Sequence, residues 1–363
     1  MRLGLTELRR SPGRFAAVSG AVGFIVFLAL ILAALSDGLY LGSTGAYRSS
    51  SADYFVFSAG SGFELTGSTL DEATAAAVVA ADGVESAGRL SSFNTTATSD
   101  GADLQLTLVG ADDPTMPAVL LDGRRPKEGT MEVLVDEQTR RRGLEIGSRI
   151  DVTDGPRLEV VGVAEDAGFG FTTAWVPHDM FQEVRAAVRP ELASLAGTAQ
   201  SLGITTTNAS MPTLDSVAGV EVATVQEAID ALPAAAQQKS TLDAIVYTTF
   251  AVAAIVVGLF FALVTLEKRG EYAVLKAIGM SNWTLIGAIF TQAIASSIVG
   301  FGIGFGLSRL AGLVIPSNIP ALFLNATAIT LLVVTLVMGS LGAIFSFRRV
   351  VKIDPAGALG GAA

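Results

Sequence analysis

The sequence predicts a membrane-embedded α-helical protein with four transmembrane helices and one folded α+β domain outside the membrane, placed between the first helix and the second. Two observations predict this class. Half of the 363 residues are hydrophobic and 16% are charged, which lies outside the range of an ordinary soluble domain. Several uncharged stretches also reach the ~20 residues needed to cross a bilayer. These stretches are Phe15–Ser36, Ala244–Leu266, Ala277–Ser308 and Leu310–Phe347.

The distribution of Lys and Arg predicts how these helices are oriented. Residues 1–14, 267–283 and 348–363 together carry a formal charge of +6, whereas the rest of the chain carries −16. Because basic flanks stay in the cytoplasm, we expect a multi-pass protein of the cell (cytoplasmic) membrane with both termini inside. The first apolar run is longer than the 7–15 residues of a removable signal peptide, so we expect it to remain as a membrane anchor.

The chain is thereby divided into nine consecutive segments. Pro316 and Pro320 interrupt the last uncharged stretch, so an outer loop is expected before the fourth span. The predicted segments are a cytoplasmic interfacial segment (1–14), the first span (15–36), the extracytoplasmic α+β domain (37–243), the second span (244–266), a cytoplasmic loop (267–283), the third span (284–308), the outer loop (309–325), the fourth span (326–347) and a cytoplasmic tail (348–363).

The extracytoplasmic domain has short apolar runs separated by turn residues, which is typical of strands. An alanine-rich helix is predicted over Leu70–Ala81. A stalk over 226–243, helical apart from Pro233, is expected to continue into the second span. The predicted strands are Tyr54–Phe57, Leu104–Val109, Glu132–Val135, Arg149–Val152, Leu158–Val163 and Leu202–Thr206.

Catalytic and metal-binding motifs are missing from the sequence. There is no cysteine and no phosphate-binding loop. His178 is the single histidine and is expected to be structural or solvated. The acid pairs Asp112-Asp113 and Asp136-Glu137 are interpreted as solvated surface acids, since neither has the spacing of a calcium loop. The spans contain no ionisable residue, which disfavours an ion-driven carrier. We therefore predict a non-enzymatic protein without an intrinsic cofactor or metal, powered from elsewhere.

The cytoplasmic loop is the most specific local feature. A charged turn precedes a short predicted helix with Tyr272, Leu275 and Ile278 on roughly one face. Gly279 is predicted to stop this helix, and Ser281 to begin the third span. An ordinary interfacial loop is the alternative interpretation.

This loop resembles the coupling region of the FtsX/MacB-type (type VII) ABC permeases, whose pattern "E-x-x-x-L-(K/R)-A-(I/L)-G" is matched from Glu271 to Gly279. The C-terminal segment from Asp354 to Leu359 is similar to the family's "D-P-x-x-A-L" tail. The resemblance implies a MacB-like ectodomain, a homodimer formed by the first and second spans, and two copies of a cytoplasmic ABC ATPase that carry ATP and Mg. It implies that the loop couples to the ATPase through Glu271, Tyr272, Leu275, Lys276 and Gly279.

The resemblance also implies export from the membrane by mechanotransmission. A lipophilic substrate is expected, and haem is a candidate because small members of this layout include haem exporters of Gram-positive bacteria. Tyr40, Tyr247 and Phe250 are the candidate residues lining the substrate path. The alternatives are a peptide or lipid exporter, an FtsX-like regulator of a cell-wall hydrolase, or a membrane-anchored sensing or binding protein. No nucleic-acid partner is expected. Glycines at 300, 302, 304 and 306 allow close helix packing, either within one subunit or between two copies.

Overall fold

The structure is a computed structural model that describes residues 12–170, 172–207, 214, 217–267, 269–316 and 319–351. These residues belong to two compact units. The helical unit contains the described residues up to 37, those of 240–315 and those from 321 onward. The sheet unit contains the described residues of 38–239 and 316–320.

Helices and strands are numbered here in chain order. The helices are α1 (Pro12–Arg48), α2 (Glu72–Val79), α3 (Glu137–Arg141), α4 (His178–Val188), α5 (Val225–Asp230), α6 (Pro233–Glu267), α7 (Arg269–Ala277), α8 (Asn282–Gly312) and α9 (Asn325–Val351). The strands are β1 (Tyr54–Ser58), β2 (Val84–Ser99), β3 (Ala102–Ala111), β4 (Leu120–Gly123), β5 (Glu132–Asp136), β6 (Arg149–Val152), β7 (Arg157–Ala164), β8 (Thr172–Pro177), β9 (Ser201–Thr206) and β10 (Val220–Thr224).

Three helical stretches among the described residues are long and apolar enough to cross a membrane. They are Phe15–Arg48 of α1, Asn282–Gly312 of α8 and Asn325–Gly342 of α9. The stretch predicted as the second span lies in α6, where Ser240–Val256 forms a shorter apolar segment. Three candidate spans are therefore present among the described residues, and the fourth remains a prediction.

Close packing of α1 against α8 forms the centre of the helical unit. A Cβ atom added to Gly304 would lie 2.6 Å from the main-chain oxygen of Gly23. One added to Gly300 would lie 2.7 Å from a side-chain carbon of Val22. Two of the four glycines in this helix thus serve packing within one subunit, as expected for small residues between helices in lipid. A Cβ atom added to Gly302 or Gly306 would have no neighbour within 4 Å among the described atoms.

The sheet unit is built on one ten-stranded sheet with the order β10-β1-β9-β2-β3-β8-β5-β7-β4. Strand β6 pairs with both β2 and β7. The strands β2, β3, β8, β5, β7 and β6 therefore close into a ring. Its interior is filled by fully buried apolar side chains, among them Leu106, Leu108, Val133, Leu158 and Phe181.

All six strands predicted in the external domain are confirmed, and the helix predicted over Leu70–Ala81 forms over Glu72–Val79. The predicted stalk is helical on both sides of Pro233, and its second part continues into the predicted second span. Helix α5 ends at Asp230, and α6 begins anew at Pro233. Proline favours the first position of a helix because it lacks the N–H that an interior position needs, so Pro233 separates the two helices.

Helix α1 continues twelve residues beyond the predicted end of the first span. Within the sheet unit, the last part of this helix exchanges main-chain hydrogen bonds with a loop. The N–H of Gly45 donates to the oxygen of Gly168, and the N–H of Gly170 donates to the oxygen of Gly42, each at 2.8 Å. A Cβ atom at Gly45 would lie 2.4 Å from the oxygen of Gly168. The glycines of both segments therefore permit a contact that larger residues would prevent.

Two polar residues singled out in the sequence are buried. His178 begins α4, is fully buried, and its Nε2 lies 3.0 Å from the hydroxyl of Ser91. Burial lowers the pKa of His178 to about 3, so the ring is neutral at physiological pH. Of the two roles expected for this residue, the structural one is confirmed. The expectation of solvated acids is wrong for Asp136. It is buried and caps α3 through the main-chain N–H groups of Gln138 and Thr139, and burial raises its pKa.

Candidate functional site

Helix α7 forms the predicted coupling segment in the helical unit. Glu271 lies in its first turn, where a negative charge suits the positive end of the helix dipole. At the other end, the N–H of Gly279 donates to the oxygen of Lys276, and the N–H of Met280 donates to the oxygen of Leu275, each at 3.0 Å. Gly279 has a φ of +93°. This bond pattern with a left-handed glycine is a Schellman motif, so the predicted helix stop is confirmed.

One side of α7 packs on the spans. Ala273 is fully buried in the apolar core of the helical unit, and Leu275 and Met280 pack against that core. The core includes Val26 of α1 and Leu285 of α8. The α7 segment is therefore held to the spans by its apolar contacts, and Leu275, two residues from Ala273, is partly buried against the same core.

The opposite side of α7 is open. Glu271 is exposed, Val274 is 50% exposed and Ile278 is 74% exposed. These positions follow one another at spacings of three and four, which places them on one helical face. We call Glu271, Val274 and Ile278 the open face of α7. Two apolar residues beside a carboxylate form a surface suited to a protein partner, because exposed apolar groups gain free energy when covered.

The remaining predicted coupling residues lie on or beside this helix. Lys276 is half-buried, and Tyr272 is part of α7. Ser281 caps the next helix, since its hydroxyl accepts from the N–H of Thr284 at 3.3 Å. Trp283 follows in the first turn of α8 with 76% of its surface exposed. The helix restart predicted at Ser281 is confirmed, and Val274 and Trp283 are exposed residues that the sequence did not single out.

The three residues predicted to line a substrate path have different surroundings. Tyr40 packs against an apolar core of the sheet unit. In the helical unit, Tyr247 is 69% exposed on α6, whereas Phe250 is 2% exposed and packs in the core. Tyr247 and Phe250 thus do not share one surface, and a substrate path through these three residues stays a prediction.

Groups of side chains suited to a metal ion are not found in the described part of the chain. No cluster of three or more His, Cys, Asp or Glu side chains lies there with a geometry suited to a metal ion. Asp112 is instead paired with Arg89 at 2.6 Å, and Asp113 with Arg125 at 2.7 Å. The acid pairs of the sequence therefore serve ion pairs and a helix cap.

Comparisons with known families match almost the whole chain. The family described as MacB-like periplasmic core domain matches residues 16–235. The family described as FtsX-like permease C-terminal matches residues 244–355, which contain the whole of α7.

The chain is also similar to individual proteins. A protein named hemin transport system permease protein HrtB, from Staphylococcus haemolyticus, is 28% identical over 41% of this chain, and the match spans 42% of that relative. An uncharacterized ABC transporter permease of Mycobacterium tuberculosis is 26% identical over 94% of both chains. The periplasmic region of MacB from Actinobacillus actinomycetemcomitans aligns with 49% of this chain and 92% of its own length, at 11% identity and a TM-score of 0.38.

The family matches account for both units, one as an extracytoplasmic domain and the other as the membrane part of a transporter that works with an ATPase subunit. The chain belongs to the FtsX/MacB-type ABC transporter permeases.

Proposed function

We propose that this chain is the membrane subunit of an exporter, that it forms a homodimer, and that it binds two copies of a separate ATPase. The open face of α7 is the observation that carries this proposal. Its inner side packs on the spans through Ala273 and Leu275, while Val274 and Ile278 remain uncovered. An ATPase bound to the open face would transmit its movement to the spans through a helix that is already packed on them.

The proposed mechanism is mechanotransmission, in which ATP binding by the partner moves the membrane helices and the external domain. Helices α1 and α6 both contribute residues to the helical unit and to the sheet unit. A continuous helix resists bending because its main-chain hydrogen bonds link successive turns. These two helices are therefore the proposed links between the membrane part and the external domain.

The proposed arrangement has four spans, with α6 as the second. Its exposed apolar side chains include Tyr247, Ile255, Leu259 and Leu263, which lipid or a second copy would cover. The basic flanks support an orientation in which both termini and α7 are cytoplasmic. The first and second spans are the proposed dimer interface by family resemblance.

This topology predicts opposite labelling of two single-cysteine variants in a chain that has no native cysteine. Ala102 in the sheet unit and Gly270 in α7 are both exposed. A membrane-impermeant maleimide should modify Ala102→Cys in intact cells, and Gly270→Cys only after the membrane is permeabilised. Labelling of Gly270→Cys alone in intact cells would show that the orientation is reversed.

Haem is the proposed substrate. Support comes from the name of the staphylococcal relative and from the size and layout of this chain. The permease reconstituted with its ATPase should hydrolyse ATP several-fold faster when haem is added. Stimulation by lipopeptides or lipids but not by haem would favour a peptide or lipid exporter. Failure of any ATPase to bind would favour a sensing protein.

A further inference from the structure

An open cleft lies in the sheet unit, beside the residues that begin β3. It has a volume of about 600 Å³, within the range of roughly 300–1,000 Å³ that ligand pockets occupy. One wall is formed by the β2–β3 hairpin with residues 102–105 of β3, and another by residues 142–144 after α3. Thr172, the first residue of β8, lines the cleft as well. The cleft is therefore large enough for a short segment of peptide.

The first four residues of β3 have a free edge. Strand β2 pairs with β3 along its whole length, whereas β8 pairs with it only from Leu106, opposite Thr172, onward. Residues 102–105 therefore pair with β2 on one side and with no strand of the described part of the chain on the other. The N–H and C=O groups of a strand point alternately to its two sides, so part of those at 102–105 point away from β2. Because the same residues line the cleft, the cleft offers an unpaired strand edge.

Arg142 lies in the cleft next to the start of β8. Its guanidinium donates to Oγ1 of Thr172 at 3.5 Å, which is the long limit of a hydrogen bond. Its Nε is buried and has no partner in the described part of the chain. The charge of Arg142 acts on the nearby buried carboxyl of Asp136, but no hydrogen bond joins these two described side chains. A guanidinium has five N–H donors in a fork that matches a carboxylate, so Arg142 has donors to spare for an anionic ligand.

The hairpin wall adds two carboxylates. Asp100 and Asp103 are exposed and line the cleft. Neither side chain has a hydrogen bond or an ion pair within the described residues. Leu104 and Leu144 supply apolar surface that continues into the core of the ring of strands. A ligand with an anion at one end, a cation along its length and apolar groups between them would be complementary to this lining.

We propose that this cleft binds a short extended peptide that ends in a free C-terminal carboxylate. The peptide adds to the free edge of β3 as a parallel strand in line with β8, and Arg142 binds its carboxylate where β8 begins. Main-chain hydrogen bonds give affinity in this mode of recognition, and side-chain contacts give specificity. Asp100 and Asp103 favour a basic side chain on the peptide. Residues 102–105 span ~13 Å, which matches about four peptide residues.

The charge of the cleft separates this ligand from haem. Two carboxylates stand against one guanidinium, which disfavours a molecule such as haem that carries two acidic side groups. The peptide site is therefore distinct from the substrate proposed above, and it does not depend on that proposal.

Fluorescence anisotropy with the purified full chain tests the site without an ATPase. The probes are fluorescein-labelled hexapeptides composed of Val, Ile, Thr and Lys, each made as the free acid and as the C-terminal amide. Free acids should bind about tenfold more tightly than amides, since a hydrogen bond between charged groups contributes roughly this factor or more. Methylation of alternate main-chain nitrogens should weaken binding about tenfold as well, because it removes the donors that pair with β3.

Variants of the protein separate the two charged contacts. Arg142→Gln should bind free acids and amides equally, and Arg142→Lys should restore part of the preference. Asp103→Asn should reduce the advantage of a Lys-containing peptide over its Glu-containing counterpart by a factor of about three, as expected for an exposed ion pair. Arg141→Gln is the matched control, because Arg141 is the exposed neighbour, pairs with Glu137 at 3.3 Å and does not line the cleft. This control should keep both preferences.

Three results would overturn the proposal. The first is that none of the peptides binds to the wild type, or that free acids, amides and methylated peptides bind to it equally. This comparison needs no substitution, so it decides even where a variant folds poorly. The second is an unchanged preference for the free acid in a folded Arg142→Gln variant. The third is displacement of the peptide by an equal concentration of haem, which would assign the cleft to the substrate proposed above.

Discussion

Replacing Ile278 with Asp is expected to weaken binding of the ATPase roughly 10- to 100-fold, while the permease itself still folds and reaches the membrane. Ile278 is 74% exposed in the isolated chain, so a carboxylate there meets water and costs little. Once a partner covers this position, the chain loses the burial of an apolar side chain, worth roughly 1.5–3 kcal/mol, and must also desolvate a charge. Co-purification of the ATPase and its stimulated turnover should both fall.

A matched control separates this effect from added charge alone. Asn282 is exposed in the same segment and begins α8, and Asn282→Asp places the same charge near the same surface. It should leave ATPase binding within about twofold of the wild type, because an acid at a helix N-terminus is tolerated well. If Ile278→Asp binds the ATPase as Asn282→Asp does, the open face of α7 is not the coupling surface.

The substitution Leu275→Asp should act by a different route. Leu275 packs against the core formed by the spans, so a charge there would detach α7 from the helical unit. Loss of ATPase binding should then come with lower expression in the membrane. A loss of binding with normal expression is expected for Ile278→Asp and not for Leu275→Asp.

The sequence could predict helix α7 and its stop, but not which side of the helix packs on the spans. Apolar residues occur on several sides of α7, and spacing alone grouped Leu275 with Ile278. The structure places Leu275 against the spans and Ile278 in the open. The deciding residue is Ala273, which is small enough to let the helix approach the span core closely. Alanine gives no periodic signal, so only tertiary packing identifies the inner side.

The strands of the external domain show the same limit. Strands with continuous apolar runs, such as β7, were predicted because both of their faces are largely covered. The sixteen-residue β2 was missed, since it is rich in Ser and Thr and its burial alternates irregularly. Strand β10 was missed as well, because it is short and only Ala223 is buried in it. These strands are stabilised by pairing with neighbouring strands, and a single sequence does not show which strands lie side by side.

Substitution of the glycines in α8 is the second change for which a large effect is expected. The sequence showed four glycines at alternate positions and left open whether they pack within one subunit or between two. In the structure, Gly304 lies against α1, whereas Gly302 has open space around it. Open positions such as Gly302 remain available for contact with lipid or with a second copy. Packing within the subunit and contact outside it therefore involve different residues of the same helix.

Gly304→Ala is therefore expected to destabilise the helical unit by about 1–3 kcal/mol, the usual cost of overpacking. The new methyl group would lie 2.6 Å from the main-chain oxygen of Gly23 and 2.8 Å from Cβ of Val26. A backbone oxygen cannot swing aside as a flexible side chain can, so α1 and α8 must separate. The midpoint of unfolding in mixed micelles of increasing dodecyl sulfate content should fall accordingly.

Gly302→Ala is the control on the same helix, two residues away. Its methyl group meets no described atom within 4 Å, so the free energy of unfolding should not fall and can rise by up to about 1 kcal/mol, because alanine favours a helix more than glycine does. A dimer contact at Gly302 would instead appear as a changed fraction of cross-linked dimer with a midpoint that does not fall. Equal destabilisation by both substitutions would show that the approach of α1 to α8 does not decide the effect, because alanine by itself favours a helix more than glycine does. The packing described for Gly300 and Gly304 would then be wrong.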